Sequence, residues 1–275
     1  MKIAIIQMGV GIDKKCNIDN MKGYVDRAGA AGADVVILPE MFNCPYSNFY
    51  FRDYAEEAGG ESYTALSQAA FSNNIYVIGG SIPELDGDDI FNTSFVFDRK
   101  GVEIARHRKV HLFDVNIKGG QYFCESDTFK AGDDITVFET EFGLMGLVIC
   151  FDIRLPEICR LTALKGAKVL FVPAAFNMTT GPMHWELVFR QRAVDNQLFT
   201  VGASPARDES GVYVAYGNSI AVDPWGKVLY RADAHEEIGI VCLELSEVES
   251  TREQLPIISA MRNDIYTIER LMNDV

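Results

Sequence analysis

The chain has 275 residues, 48% of them hydrophobic, which is enough to bury a sizeable core. Its formal charge of -14 excludes a nucleic-acid backbone and an anionic membrane surface as partners, since both need clustered Lys and Arg. The six cysteines are scattered, with no Cys-x-x-Cys pair of the kind that holds zinc or cycles a disulfide. No apolar run approaches a membrane span, and Met1-Lys-Ile-Ala-Ile-Ile enters a strand without a leader's apolar core. The expectation is a cytoplasmic protein of one domain over residues 1–275, with reduced thiols.

Residues 2–8 read as a buried strand and 17–31 as a helix whose Met21, Val25 and Ala28 share one face. Residues 35–38 form a continuous apolar strand, and Pro39-Glu40 follows, which puts a carboxylate at a strand's carboxyl end. Taken alone, a solvated loop glutamate is the blander reading. Residues 43–54 are an aromatic-rich loop, either a pocket wall or packing beneath a long connection. A helix over 62–71 and a strand over 75–82, passing through Gly79-Gly80, come next. Strands over 92–97 and 103–109 make a hairpin that ends in Arg106-His-Arg-Lys109. A basic cluster is usually solvated, but this one runs straight into the apolar Val110, Leu112 and Phe113.

Residues 115–128 lack a period and read as a loop. A second hairpin over 135–138 and 143–150 delivers Cys150 to a strand's carboxyl end, and a helix over 153–166 follows it. Open α/β sheets bind ligands outside those ends, and a helix N-terminus is expected to lower a thiol's pKa. The alternative for Cys150 is a small buried hydrophobe. Residues 167–176 then repeat the order of 33–40, an apolar strand, a proline and a loop, which suggests two similar halves. Beyond a turn-rich loop at 177–185 come a helix over 185–197 and strands over 198–204, 213–222, 227–230 and 238–245. A helical tail over 248–272 is broken near Pro256. The alternation predicts a layered α/β domain with a mixed sheet.

Three strand-end residues stand out: an acid (Glu40), a cation (Lys109) and a thiol (Cys150). Together they suit acyl transfer at an amide or nitrile carbon. A thiolate attacks, a carboxylate moves the proton, and an ammonium holds the oxyanion. The competing Cys-His arrangement would use His111 or His184, for which the sequence offers no orienting partner.

At Leu38-Pro-Glu40, Arg108-Lys109-Val-His-Leu-Phe113 and Ile149-Cys150-Phe-Asp-Ile-Arg154 the chain resembles the nitrilase superfamily, the carbon-nitrogen hydrolases with a Glu-Lys-Cys triad. The likeness runs nearly end to end. Residues 175–187, 192–197 and 203–208 look like the omega-amidase branch, which deaminates 2-oxoglutaramate and 2-oxosuccinamate. The resemblance implies a four-layer α-β-β-α sandwich with two mixed sheets, pairing into a homodimer or higher homo-oligomer, and no cofactor or metal. It implies Glu40 as general base, Cys150 as nucleophile, and Lys109 with the Phe151 backbone N–H as oxyanion hole. Glu125 matches the family's second site glutamate. Arg154 matches the position that binds the substrate carboxylate, and Phe176 and Thr180 match pocket-lining positions. Phe151 stands where many relatives carry tyrosine, Leu155 where phenylalanine is common, and Cys124 where a polar residue is usual, which bears on substrate preference.

The expected activity is hydrolysis of a small amide, with a short dicarboxylic monoamide as the leading substrate. A nitrilase, an aliphatic amidase, an N-carbamoyl amidohydrolase and an N-acyltransferase would use the same triad. A non-catalytic small-molecule binder on the same fold is the rival from another class, and an intact triad counts against it.

Overall fold

The structure is a computed structural model that describes residues 1–118 and 121–270. Its first half runs β1 (Lys2–Gln7), α1 (Lys14–Ala30), β2 (Val35–Ile37), α2 (Asn48–Tyr54), α3 (Glu61–Asn73), β3 (Tyr76–Ile78), β4 (Ile82–Asp86), β5 (Asp89–Phe97) and β6 (Glu103–Arg108). A short hairpin, β7 (Asp114–Asn116) and β8 (Tyr122–Cys124), bridges to the second half. That half runs β9 (Thr136–Thr140), β10 (Gly143–Leu147), α4 (Pro156–Leu164), β11 (Val169–Pro173), α5 (Gly181–Asn196), β12 (Phe199–Ala203), β13 (Ile220–Val222), β14 (Val228–Arg231), β15 (Glu237–Cys242) and α6 (Ser246–Gln254).

One sheet has the order β15-β1-β2-β3-β5-β4 with β6 paired to β5, and the other has β14-β13-β12-β11-β10-β9. In each, three adjacent strands are parallel and the flanks antiparallel, as the mixed-sheet expectation requires. The period of two along β1 explains the layering. Ala4 and Ile6 pack with Met21 and Val25 of α1 and Leu66 of α3, while Ile3 and Ile5 pack with Leu147, Phe171 and Phe199 of the other sheet. Leu170 and Val172 of β11 turn the other way, onto Trp185 and Phe189 of α5. The result is the expected α-β-β-α stack, and continuous apolar strands follow from burial on both faces. The sequence echo is also real in space, because β2 and β11 each sit at the centre of a parallel triplet.

Several elements differ from the sequence reading. The strand expected over 75–82 breaks into β3 and β4 at Gly79-Gly80. Gly80 has φ +59 and a Cβ there would lie 2.2 Å from the Pro39 carbonyl oxygen, so the break lets the Glu40 turn pack closely. The expected loop at 115–128 contains the β7-β8 hairpin; its Gly119-Gly120 lies outside the described residues. The helix expected over 153–166 starts only at Pro156, because Cys150–Arg154 form a 3-10 turn. Pro182 opens rather than breaks a helix, so α5 begins at Gly181 instead of 185. Of the strand expected over 213–222 only β13 joins a sheet, with Ala215 making a single isolated bridge to Asn177, and the tail past Pro256 is turns, with 271–272 outside the described residues. Among the described residues no helix is long and apolar enough to cross a membrane.

Candidate active site

Four strand ends converge on one place. β2 runs out into Glu40, β6 into Lys109, β10 through Ile149 into Cys150, and β11 through Ala174 and Ala175 into Phe176. Glu40, Lys109 and Glu125 have no solvent exposure, and Cys150 is 5% exposed. Lys109 Nζ donates to Glu40 Oε1 at 2.8 Å and lies 2.9 Å from Glu125 Oε2. Glu125, which enters on a 3-10 turn after β8, also accepts from the Phe113 backbone N–H at 2.6 Å.

The turns at Glu40 and Cys150 are both bent against their residues' preference. Cys150 has φ +44, and Met41, immediately after Glu40, has φ +54. Non-glycine residues avoid this left-handed region, so the surrounding structure must hold them there. At Met41 the Ser81 hydroxyl does so, accepting the backbone N–H at 3.0 Å. At Cys150 the fully buried Asp152 does so, accepting from the Ile149 N–H at 3.0 Å.

Sequence reasoning missed three polar partners. The Tyr46 hydroxyl donates to Glu125 Oε1 at 2.7 Å, and Asn92 Nδ2 donates to Glu40 Oε1 at 2.9 Å. Tyr46 lies in the aromatic loop read as a possible pocket wall; nothing in the strand pattern singled out Asn92. Asp152, two residues after the thiol, also lies 3.0 Å from His107 Nε2 and 2.8 Å from His111 Nδ1. His111 thus has the orienting carboxylate the sequence did not reveal, but that carboxylate is spent fastening the segment around Lys109 to the Cys150 turn.

The electrostatics correct one expectation. A helix N-terminus was to lower the Cys150 pKa, but the α-helix starts six residues later, at Pro156. Burial and the negative charge of Glu40 instead push the thiol well above its ordinary value, with Lys109 opposing. Burial likewise raises Glu40, against the pull of Lys109. Burial works against the Lys109 ammonium, but Glu125 and Glu40 outweigh it and hold its pKa above the ordinary lysine value. Glu40 Oε2 is buried and accepts no hydrogen bond, so a raised carboxylate keeps one free oxygen for a proton. The arrangement fits a neutral thiol deprotonated only as it attacks.

A small hollow adjoins Cys150, lined by Phe113, Phe151, Arg154, Phe176, Thr180 and Tyr213 among others. The Arg154 guanidinium lies 4.2 Å above the Phe176 ring, donates to Thr180 Oγ1 at 3.1 Å and sits 2.9 Å from His184 Nδ1. All the side chains expected to bind substrate therefore line one small hollow beside the thiol. Phe151 is the second residue of the 3-10 turn, where backbone N–H groups have no partner within the turn.

The model of the carbon-nitrogen hydrolase family matches residues 2–253. The chain belongs to the carbon-nitrogen hydrolases. Within that family it is 45% identical to the omega-amidase NIT2 of Bos taurus, over 98% of this chain and 97% of that protein. It is 43% identical to the omega-amidase NIT2 of Homo sapiens, over 98% and 97%. Among solved structures, Nit3 of Saccharomyces cerevisiae, a member of branch 10 of the nitrilase superfamily, superposes with a TM-score of 0.88 at 40% identity, covering 95% of this chain and 96% of that one. The NitFhit protein of C. elegans superposes with a TM-score of 0.90 at 33% identity, covering 97% of this chain and 66% of that one. This carbon-nitrogen hydrolase is thus a hydrolase of non-peptide C–N bonds built on the expected sandwich.

Proposed function

We propose that the protein is an omega-amidase, hydrolysing the terminal amide of 2-oxoglutaramate or 2-oxosuccinamate to the 2-oxo dicarboxylate and ammonia. The observation that carries this reading is the position of Arg154. Its guanidinium lines the same small pocket as Cys150, where a planar fork suits a carboxylate. A short acyl chain would join that carboxylate to a carbonyl at the thiol.

In the first half-reaction Cys150 Sγ attacks the amide carbon while Glu40 takes the thiol proton. The carbonyl oxygen becomes an oxyanion held by the Lys109 ammonium and the Phe151 N–H. As the intermediate collapses, the C–N bond breaks and the nitrogen leaves as ammonia with the proton from Glu40, leaving a thioester. In the second, water gives a proton to Glu40 and attacks the thioester carbon; the C–S bond breaks and the proton returns to the thiolate. Glu125 keeps Lys109 charged and aimed. No step calls on a metal or cofactor. The 43–45% identity to omega-amidases over nearly the whole chain supports the same reading.

One hydrolase domain would carry the whole site. The reduced thiols support a cytoplasmic location, and exposed Met183 and Leu187 on α5 with nearby Trp225 support pairing into a homodimer. Ammonia release from 2-oxoglutaramate, glutamine, asparagine, an N-carbamoyl amino acid and a simple nitrile tests the substrate assignment. Preference for the 2-oxo monoamide is expected; faster turnover of the nitrile or the carbamoyl compound would overturn it.

A further inference from the structure

Two hollows meet at the reacting groups. The small hollow is bounded by Cys150 and Arg154, and a wider cleft of about 370 Å³ has Glu40, Tyr46, Ile12, Pro205 and Asp208 in its walls. Ala175 and Tyr213 line both. Tyr213 is tied to that boundary twice. Its hydroxyl donates to the Ala175 carbonyl oxygen, and its ring centroid lies 4.6 Å from that of Tyr46, whose own hydroxyl holds Glu125.

We propose that the Tyr213 ring is the partition between an acyl pocket on the Cys150 side and a leaving-group cleft on the Glu40 side, and that it restricts the leaving group to ammonia. The proposal rests on the amide-hydrolase reading above and adds to it the chemistry of the departing nitrogen. That nitrogen takes its proton from Glu40, so it faces the residue that lines the wide cleft. A hydrogen on nitrogen fits there; an alkyl or aryl substituent would run into the Tyr213 and Tyr46 rings before reaching the space beyond. Among the described residues the walls of the cleft carry Glu40 and Asp208 but no Lys, Arg or His, so it suits the departure of neutral or cationic amines and disfavours anionic ones. With the ring trimmed, a secondary amide would react by the same steps. The C–N bond breaks, the proton on Glu40 passes to the substituted nitrogen, and a primary amine leaves in place of ammonia.

The experiment is kcat/KM of wild type, Tyr213→Ala and Tyr213→Phe on succinamate and its N-methyl, N-propyl and N-benzyl derivatives. Wild type should strongly favour the unsubstituted amide. Tyr213→Ala should raise the ratio of N-propyl to unsubstituted rate by about tenfold or more, the scale at which a pocket wall discriminates, with the gain growing from methyl to propyl. Tyr213→Phe keeps the ring and should keep the wild-type ratio. A merely loosened site would lower the unsubstituted rate and raise no ratio, which overturns the proposal; so does a Tyr213→Phe gain equal to that of Tyr213→Ala. Wild-type turnover of the N-benzyl amide as fast as succinamate overturns it while leaving amide hydrolysis intact. If wild type hydrolyses none of the four, it is the dicarboxylic-monoamide reading of the substrate that has failed, and the proposal falls with it. Tyr213→Leu, with the same expected gain, serves if the alanine variant does not fold.

Discussion

Glu40 and Lys109 form an ion pair of 2.8 Å in which neither side chain touches solvent. Such a pair persists because all of its acceptor oxygens but the free Glu40 Oε2 have partners. Here Asn92 and Tyr46 supply donors, and Glu125 supplies the second carboxylate. Removing the cation would leave two buried carboxylates facing each other. Lys109→Met should therefore lose at least about two orders of magnitude in kcat, the usual scale for an oxyanion donor, and should also unfold at lower temperature. An active, equally stable variant would refute the role.

The thiol and its base are tested together. Cys150→Ala should be inactive yet folded, since little packing is lost. Cys150→Ser should be nearly as inactive, because a hydroxyl is much harder to deprotonate than a thiol. Glu40→Gln should cut kcat by about two orders of magnitude or more. Because the Glu40 pKa is raised, the acid limb of the wild-type kcat/KM profile should lie above the ordinary glutamate value of 4.5, the active form being the ionised carboxylate. Because Glu40 is the base that takes the thiol proton, iodoacetamide should alkylate Cys150 more slowly once Glu40 is replaced, even though the substitution also removes a charge that raises the thiol. Unchanged labelling in Glu40→Gln would mean the thiolate forms without that base.

Most of the candidate site was legible in the sequence because its side chains sit where strands end. Apolar strands punctuated by Pro39-Glu40, Lys109 and Cys150 can be read by eye, and burial on both faces leaves no other place for those side chains to emerge. Glu125 was legible only through resemblance, since its segment has no period and a 3-10 turn has no sequence signature of its own. Asn92 and Tyr46 were not legible as site residues. Their roles come from long-range approach, 52 residues between Asn92 and Glu40 and 79 between Tyr46 and Glu125, and no local pattern encodes that. The expected acidic thiol failed for a related reason. Whether a helix dipole reaches a cysteine depends on where the α-helix begins, and element ends are set by packing.

Asp152 offers a test of how the halves of the site are fastened together. It accepts from His111 N and Ile149 N and lies within hydrogen-bond distance of His107 and His111 ring nitrogens. Burial opposes its charge, but hydrogen bonds from His107 and His111 hold its carboxyl below the ordinary value of 3.8. A depressed folded-state pKa contributes stability that is present above the unfolded value and lost as pH falls through the folded one. Asp152→Asn should therefore cost about 3 kcal/mol near neutral pH, with the gap to wild type narrowing as the pH drops below 3.8. Denaturant melts at several pH values check this; a gap independent of pH would mean that shape, not charge, is what Asp152 supplies.

The last prediction concerns Arg154, on which the choice of substrate turns. Phe176 beneath the guanidinium and Thr180 beside it hold the fork in the pocket before any substrate arrives. If the fork clasps a carboxylate, Arg154→Lys should raise KM because an ammonium cannot reproduce two parallel bonds, and Arg154→Ala should raise it further. Losing a hydrogen bond to a charged group costs about 1.5 to 3 kcal/mol, hence roughly tenfold to more than a hundredfold in kcat/KM. The loss should be selective, since a simple aliphatic amide has no carboxylate to lose. The measurement is kcat/KM for succinamate and butyramide on wild type and both variants. An equal fall for the two substrates would mean that Arg154 supports the loop rather than the ligand, and the assignment to dicarboxylic monoamides would lose its physical basis.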